Sequence, residues 1–224
     1  MMKRTKLADR SLPDYTRGEE IMNMVTHIVG GALGIAALTL CVIRAALNGN
    51  VYGVVTSSIY GAMLVIMFTI SSVYHGLRPN MGKKVMQVID HCAIYFLIAG
   101  TYTPILLCAM RPVYPGWAWS LFGVVWGLTA LAVTLTAIDL KSFRVVSMIC
   151  YIGMGWCILV KVPLLIQAVG WGGFWLILLG GVCYTIGAVL YGMGRTKKYM
   201  HSIFHLFVVA GSVLQYVCII LYVL

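Results

Sequence analysis

Charged side chains are scarce in this sequence, and acidic ones are the scarcest. Asp and Glu number 6 and Lys and Arg 16, so that charged residues make up only 10% of the 224 residues. Hydrophobic residues make up 61%, and the mean hydropathy is +0.94. A water-soluble domain needs a polar surface that this composition cannot supply. The sequence therefore predicts an all-α integral membrane protein with several membrane-spanning helices.

Cysteine motifs and a leader sequence are also missing. The seven cysteines include no C-x-x-C pair, and most of them fall inside apolar runs, where Cys behaves as a small hydrophobe. We therefore expect neither a disulfide framework nor a cysteine-based metal site. Residues 1–20 are polar and charged throughout and contain no apolar core, so no cleaved signal peptide is expected.

Long apolar runs dominate the rest of the chain. A membrane-spanning helix needs about 20 apolar residues, and seven runs of this kind are separated by short polar or glycine-rich turns. We predict a cytoplasmic N-terminal segment, 1–21, followed by a single seven-helix transmembrane domain, 22–224. The predicted helices are 22–44, 52–75, 87–109, 117–138, 144–166, 171–193 and 202–223.

Basic residues are distributed unevenly between the two ends of these helices. The end opposite the N-terminus has only three of them, Arg44, Arg111 and Lys161. Because cytoplasmic loops carry an excess of Lys and Arg, the N-terminus is predicted to be cytoplasmic and the C-terminus outside, in a multi-pass protein of the inner (plasma) membrane. Short basic clusters between apolar runs are typical of topology signals, so no nucleic-acid partner is expected. The residues at the predicted cytoplasmic end are Lys3, Arg4, Lys6, Arg10, Arg17, Arg78, Lys83, Lys84, Lys141, Arg144, Arg195, Lys197 and Lys198.

Four ionisable residues lie at the ends of predicted helices. His201 and His205 are four residues apart, and therefore lie on the same face of the last helix. His75 ends the second helix, and Asp90 begins the third. The predicted topology brings all four to the cytoplasmic end of the bundle. Ionisable side chains in such apolar segments are costly and by default indicate function.

Three imidazoles form a suitable ligand set for zinc. Catalytic zinc sites have three protein ligands and leave the fourth position to water, so we predict that His75, His201 and His205 bind one zinc ion. Asp90 is expected to orient or deprotonate that water, and Ser71 to hydrogen-bond it or a substrate carbonyl oxygen. Ligand type alone does not distinguish zinc from other divalent metals that prefer imidazole. In the alternative interpretation these side chains only hydrogen-bond neighbouring helices and stabilise their packing.

Other polar residues are predicted to have lesser roles. His27, within the first predicted helix, is expected to be a hydrogen-bonded packing residue, with a substrate contact as the less favoured alternative, and His91 is expected to have a packing or interfacial role. Glu20 precedes the first predicted helix, where the helix dipole favours a carboxylate; a role as an outer partner of the metal site is the less favoured alternative. Asp139 is expected to lie in a solvated turn.

Several of these residues fall in strings that carry a resemblance to a known family. The chain resembles the hemolysin III-type bacterial branch of the progestin and adiponectin receptor superfamily over nearly its whole length. The resemblance implies a seven-helix fold with zinc on the cytoplasmic side, bound by His75, His201 and His205, and with Asp90 and Ser71 near the metal. The strings are EIMNMVTH at 20–27, SSVYH at 71–75, DHCAIYFLIAGTYTP at 90–104, MGW at 154–156 and HSIFH at 201–205.

The resemblance also implies a set of possible functions. The superfamily includes alkaline ceramidases, its eukaryotic receptors look like ceramide hydrolases, and bacterial members have been linked to membrane-lipid and fluidity homeostasis. The leading hypothesis is a zinc-dependent membrane hydrolase acting on a lipid amide or ester bond. The alternatives are a zinc-stabilised receptor or sensor without catalysis and, as the family name records, a pore-forming haemolysin. A membrane lipid is the expected substrate or ligand, and protein partners are left open.

Overall fold

The computed structural model describes residues 5–194 and 196–224, and this part of the chain contains helices and turns but no strand. Lys3, Arg4 and Arg195 of the predicted charge pattern lie outside the described residues. The all-α prediction is confirmed. The helices are α1 (Arg17–Leu47), α2 (Val51–Gly76), α3 (Met81–Pro104), α4 (Pro115–Ile138), α5 (Arg144–Trp156), α6 (Val162–Met193) and α7 (Met200–Cys218).

Within this described part, six helical stretches are long and apolar enough to cross a membrane. The predicted limits of the second, fourth and seventh helices agree with α2, α4 and the stretch Met200–Val223 to within two residues. The longest stretch, Arg144–Met193, covers both predicted helices 144–166 and 171–193. It is interrupted at Gly170, whose φ of 67° and ψ of 174° are not helical. Glycine adopts this backbone conformation readily because it has no Cβ.

The first helix begins five residues earlier than predicted because its N-terminus is capped. The Thr16 hydroxyl accepts a hydrogen bond from the backbone N–H of Glu19 at 3.3 Å. The Glu19 carboxylate in turn accepts one from the backbone N–H of Thr16 at 2.9 Å, which completes a capping box. Glu20, which was predicted to precede the helix, therefore lies with Glu19 in its first turn.

One face of α1 is buried along the length of the helix. Its buried residues recur at intervals of three or four, as expected for one helical face, and they are small beyond the first two turns. Nearer the N-terminus the same face carries Glu19, Asn23 and His27, all buried. Since α1 packs against both α2 and α7, this polar part of the face is held between the end of α2 and the start of α7.

The prediction of a solvated turn between α4 and α5 is wrong for Asp139, although Lys141 and Ser142 of the same turn are exposed. Asp139 is only 2% exposed. Its carboxylate accepts hydrogen bonds from the backbone N–H of Thr5 at 2.9 Å and from the Ser142 hydroxyl at 3.0 Å. Nearby, the Arg10 guanidinium donates to the carbonyl oxygen of Ile138 at 3.2 Å. The N-terminal segment therefore packs against this turn and excludes water from Asp139.

The stability contributed by the contact between the N-terminal segment and Asp139 is expected to depend on pH. The hydrogen bond from the Thr5 backbone N–H, with those of the turn, holds the pKa of Asp139 well below its usual value. Because the folded-state pKa lies below the unfolded one of about 3.9, the stabilisation is complete above about pH 5 and is lost progressively as the pH falls from about 4 towards the folded-state pKa. Asp139→Asn should therefore lower the melting temperature by about 2–4 °C at pH 7, and this difference should narrow towards pH 3.

Asp14→Asn is the matched control for this measurement, because Asp14 is an exposed carboxylate of the same segment. It should leave the melting temperature unchanged at both pH values. If Asp139→Asn lowered the melting temperature equally at pH 7 and pH 3, the pH-dependent stabilisation could not come from the Asp139 carboxylate.

Candidate metal centre

Three buried histidines from two distant helices meet at one end of the bundle. His75 lies at the end of α2, and His201 and His205 lie in the first two turns of α7. One ring nitrogen of each lies within 4.8 Å of those of the other two. The residues are 3%, 6% and 1% exposed, respectively. We call these residues the three-histidine cluster, and they are the three ligands that the sequence predicts.

The donor atoms of the cluster fit a tetrahedral metal ion. The Nε2 atoms of His201 and His205 are 3.1 Å apart. Two imidazole nitrogens bound to one zinc ion in tetrahedral geometry are about 3.3 Å apart. The Nε2 atom of His75 is buried and makes no hydrogen bond to any residue that the structure describes. The cluster can therefore supply three nitrogens and leave one coordination position for another ligand.

Helix α1 orients the His75 ring. The Nδ1 atom of His75 lies 2.6 Å from a carboxylate oxygen of Glu20, and the other Glu20 oxygen accepts a hydrogen bond from Lys83 Nζ at 2.5 Å. Histidine ligands commonly donate their second ring N–H to a carboxylate, which points the remaining nitrogen at the metal. Glu20 thus occupies the position of an outer partner, the role that the sequence analysis considered less favoured.

A cavity extends from the cluster into the helical bundle. Asp90 and Ser71, the two predicted catalytic residues, both line it together with His201 and His205. Among the described residues that line the cavity, Asp90 is the only one with a carboxylate side chain. Gln215, at a deeper level, lies ten residues beyond His205, or about 15 Å along α7. Much of the intervening wall is apolar and includes Leu97, Ile98, Ile105, Ile158, Leu159 and Ile177.

Two further histidines line this cavity. The ring centroid of His27 is 3.8 Å from that of His205. Both His27 ring nitrogens are buried and make no hydrogen bond to the described part of the chain. His91 Nε2 lies 3.1 Å from the Tyr191 hydroxyl. Both histidines were predicted to be packing or interfacial residues. The spacing from Glu20 to His27 is seven residues, or about two helical turns, and this spacing already puts His27 on the same helical face as Glu20.

The N-terminal segment covers this end of the cavity. The Tyr15 ring stacks on His201, with centroids 4.8 Å apart and ring planes 19° apart. Tyr15 and Pro13 both line the cavity. Burial raises the pKa of Tyr15 above its usual value. Tyr15 could not be found from the sequence, because a residue before the first helix has no helical periodicity to reveal where it packs.

The fold and the cluster together define a multi-pass, all-α membrane protein with a buried three-histidine site. The family model described as Haemolysin-III related matches residues 15–216, and the chain belongs to this family. In bacteria, membership of this family and the apolar helices indicate the inner membrane, as predicted.

Three similar proteins extend this comparison. Hemolysin-3 of Bacillus cereus is 35% identical over 206 residues, which cover 92% of each chain. The Hemolysin-3 homolog of Bacillus subtilis strain 168 is 34% identical over 208 residues, which cover 93% of this chain and 96% of the homolog. The human Monocyte to macrophage differentiation factor is 26% identical over 212 residues, covering 90% of this chain and 83% of that protein. The predicted hemolysin III resemblance within the wider receptor superfamily is thus confirmed.

Proposed function

We propose that this protein is a zinc-dependent membrane hydrolase that cleaves an amide or ester bond of a lipid and contributes to membrane-lipid and fluidity homeostasis. The observation that carries the proposal is the position of the three-histidine cluster at the polar end of an otherwise largely apolar cavity. A lipid likewise has a polar part and an apolar part, because a polar linkage is attached to a long hydrocarbon chain. The cavity therefore suits a substrate whose scissile bond lies at the cluster and whose chain extends towards Gln215.

His75, His201 and His205 would hold the zinc ion, with Glu20 fixing the His75 ring. When bound, zinc supplies a Lewis acid and a water molecule that ionises near neutral pH.

The remaining chemistry is assigned to the cavity side chains. Asp90 accepts a proton as water adds to the carbonyl carbon, and returns it to the leaving amine or alcohol when the C–N or C–O bond breaks. Ser71 donates a hydrogen bond to the carbonyl oxygen. Tyr15, stacked on His201, keeps bulk water out of this end of the cavity.

The topology of the proposed enzyme has seven crossings, with the N-terminus in the cytoplasm. The stretch Arg144–Met193 contains 50 residues, which would measure about 75 Å as a continuous helix, more than twice the hydrocarbon thickness of a bilayer. Two crossings separated at Gly170 accommodate this length. With seven crossings, the positive-inside rule would favour a cytoplasmic position for the three-histidine cluster and the N-terminal segment.

Zinc-dependent lipid cleavage tests the proposal. The purified protein in nanodiscs is incubated with a ceramide or with a diacyl phospholipid, and the released fatty acid is measured by mass spectrometry. Removing the metal with a chelator should reduce the release at least about tenfold, since loss of the Lewis acid removes several kcal/mol of transition-state stabilisation. Adding zinc back should restore it. Equal release before and after chelation would contradict a zinc-dependent reaction.

A zinc-stabilised receptor or sensor is the second candidate, because the cluster joins α2 to α7 and a bound ion would tie these helices together. This alternative predicts that chelation lowers the melting temperature while no fatty acid is released from either lipid class. The pore-forming alternative remains a sequence-based prediction, and ion flux through liposomes containing the protein would support it.

A further inference from the structure

The start of α7 lacks an ordinary helix cap. Tyr199, the N-cap residue, has a φ of 62° and a ψ of −6°, and its side chain makes no capping hydrogen bond. It is the one non-glycine residue with positive φ in the described part of the chain. N-cap residues normally have an extended backbone and a short polar side chain, and the left-handed conformation is unfavourable for a residue with a Cβ. A contact from outside the helix is therefore needed to hold Tyr199 in this conformation.

Glu19 supplies that contact. Its Oε1 atom accepts a hydrogen bond from the backbone N–H of Tyr199 at 2.7 Å. Its Oε2 atom accepts hydrogen bonds from the backbone N–H and the hydroxyl of Thr16, at 2.9 and 2.8 Å. One buried carboxylate thus caps its own helix, α1, and also the beginning of α7. A negative charge near the N-terminus of α7 is favoured by the helix dipole as well.

The position of Tyr199 determines how α7 begins. Its carbonyl oxygen accepts the hydrogen bond from the Ile203 backbone N–H at 2.9 Å, and His201 follows two residues later. Glu20, the neighbour of Glu19, contacts His75. Two adjacent carboxylates in the first turn of α1 therefore contact both halves of the three-histidine cluster: one contacts the α2 ligand directly, and the other contacts the backbone that leads into the α7 ligands.

We propose that Glu19 is a positioning residue of the metal centre, which sets the His201–His205 pair relative to His75 by capping α7 through Tyr199. Glu19 is not a ligand, because its two oxygens are engaged by Thr16 and Tyr199. The inference rests on the metal binding proposed above. It adds a residue that neither the spacing of the histidines nor the lining of the cavity indicates.

Metal titration of the purified protein tests this role, with Zn²⁺ for affinity and Co²⁺ for the visible spectrum of the site. Glu19→Ala should weaken zinc binding by about 10–100-fold, the effect of losing an outer partner of a metal site, and should change the Co²⁺ spectrum. Thr16→Ala is the matched control, because it removes the capping-box partner but keeps the contact between Glu19 and Tyr199. It should leave the zinc affinity and the spectrum unchanged.

A second substitution separates positioning from general damage. Glycine adopts positive φ without a steric penalty, so Tyr199→Gly added to Glu19→Ala should recover most of the lost affinity and the original Co²⁺ spectrum. Wild-type affinity in Glu19→Ala, or a double variant as weak as the single one, would overturn the proposal. If Glu19→Ala does not fold, the same rescue is measured on Glu19→Gln, which keeps an acceptor oxygen but loses the charge.

If the proposed zinc-dependent function is wrong, the wild-type protein itself will fail in the metal titration, and not only the Glu19 variant. A wild-type protein that binds neither Zn²⁺ nor Co²⁺ would overturn the zinc enzyme. The role at a metal centre would then fall with it, and amide hydrogen exchange of residues 200–205 would test the capping of α7 alone. Exchange that is faster in Glu19→Ala than in Thr16→Ala would support capping of α7 by Glu19, and equal exchange in the two variants would overturn it.

Discussion

Replacing His201 with alanine is expected to remove the metal ion from the purified protein. The wild-type protein should contain about one zinc ion per chain, and the variant less than about a tenth of that after dialysis, because the two remaining imidazoles are one donor short of the three that a catalytic zinc site uses. The affinity should fall by more than the 10–100-fold that loss of an outer partner costs. Metal content measured by inductively coupled plasma mass spectrometry, per mole of protein, checks the result.

His91→Ala is the matched control for this experiment. His91 lines the same cavity but is not a member of the three-histidine cluster, so its replacement should leave the zinc content unchanged. A His201→Ala variant that keeps a full equivalent of zinc would show that the metal binds elsewhere. A metal-free wild-type protein would leave the cluster with a packing role only.

The second large effect is expected at Asp90. In Asp90→Asn, the asparagine side chain has nearly the same shape as aspartate but cannot accept the proton in the proposed reaction. Lipid hydrolysis should therefore fall by about 10²–10⁴-fold, the usual contribution of general acid–base catalysis. The zinc content should not change, because Asp90 lies outside the three-histidine cluster. Fatty acid release and metal content are measured on the same preparation.

Asp139→Asn provides the control for this prediction, because it also neutralises an Asp side chain but lies at the turn between α4 and α5, away from the residues that line the cavity. It should retain hydrolysis near the wild-type rate at pH 7. Wild-type turnover by Asp90→Asn would remove Asp90 from the mechanism. Loss of zinc from this variant would mean that Asp90 supports the metal rather than the proton transfer.

The approximate positions of the helices could be predicted from the sequence because a bilayer imposes a minimum apolar length on each crossing. The limits were missed where a local interaction overrides hydropathy, as at the start of α1, where the capping box of Thr16 and Glu19 extends the helix into a polar region. The convergence of His75, His201 and His205 was also predictable, because the predicted topology puts the end of the second helix and the start of the seventh at the same membrane face.

Contacts made by the N-terminal segment could not be predicted in this way. Thr5 and Asp139 are 134 positions apart, and neither residue belongs to a periodic pattern that would pair them. Tyr15 on His201 and Glu19 on Tyr199 are contacts of the same kind. They depend on how the N-terminal segment and the first turn of α1 dock on the other helices, which is a property of the tertiary fold and not of local sequence.

The order in which the cluster residues are made has a consequence for biosynthesis. His75 is translated with the second helix, whereas His201 and His205 belong to the last helix of the described chain. At about 5–20 residues per second, the 126 residues that separate His75 from His201 take roughly 6–25 s to synthesise. During this interval His75 and Glu20 are already in the membrane without their α7 partners. A three-histidine site can then form only after α7 has inserted, so metal occupancy would report that the helices from α1 to α7 have been assembled in the bilayer.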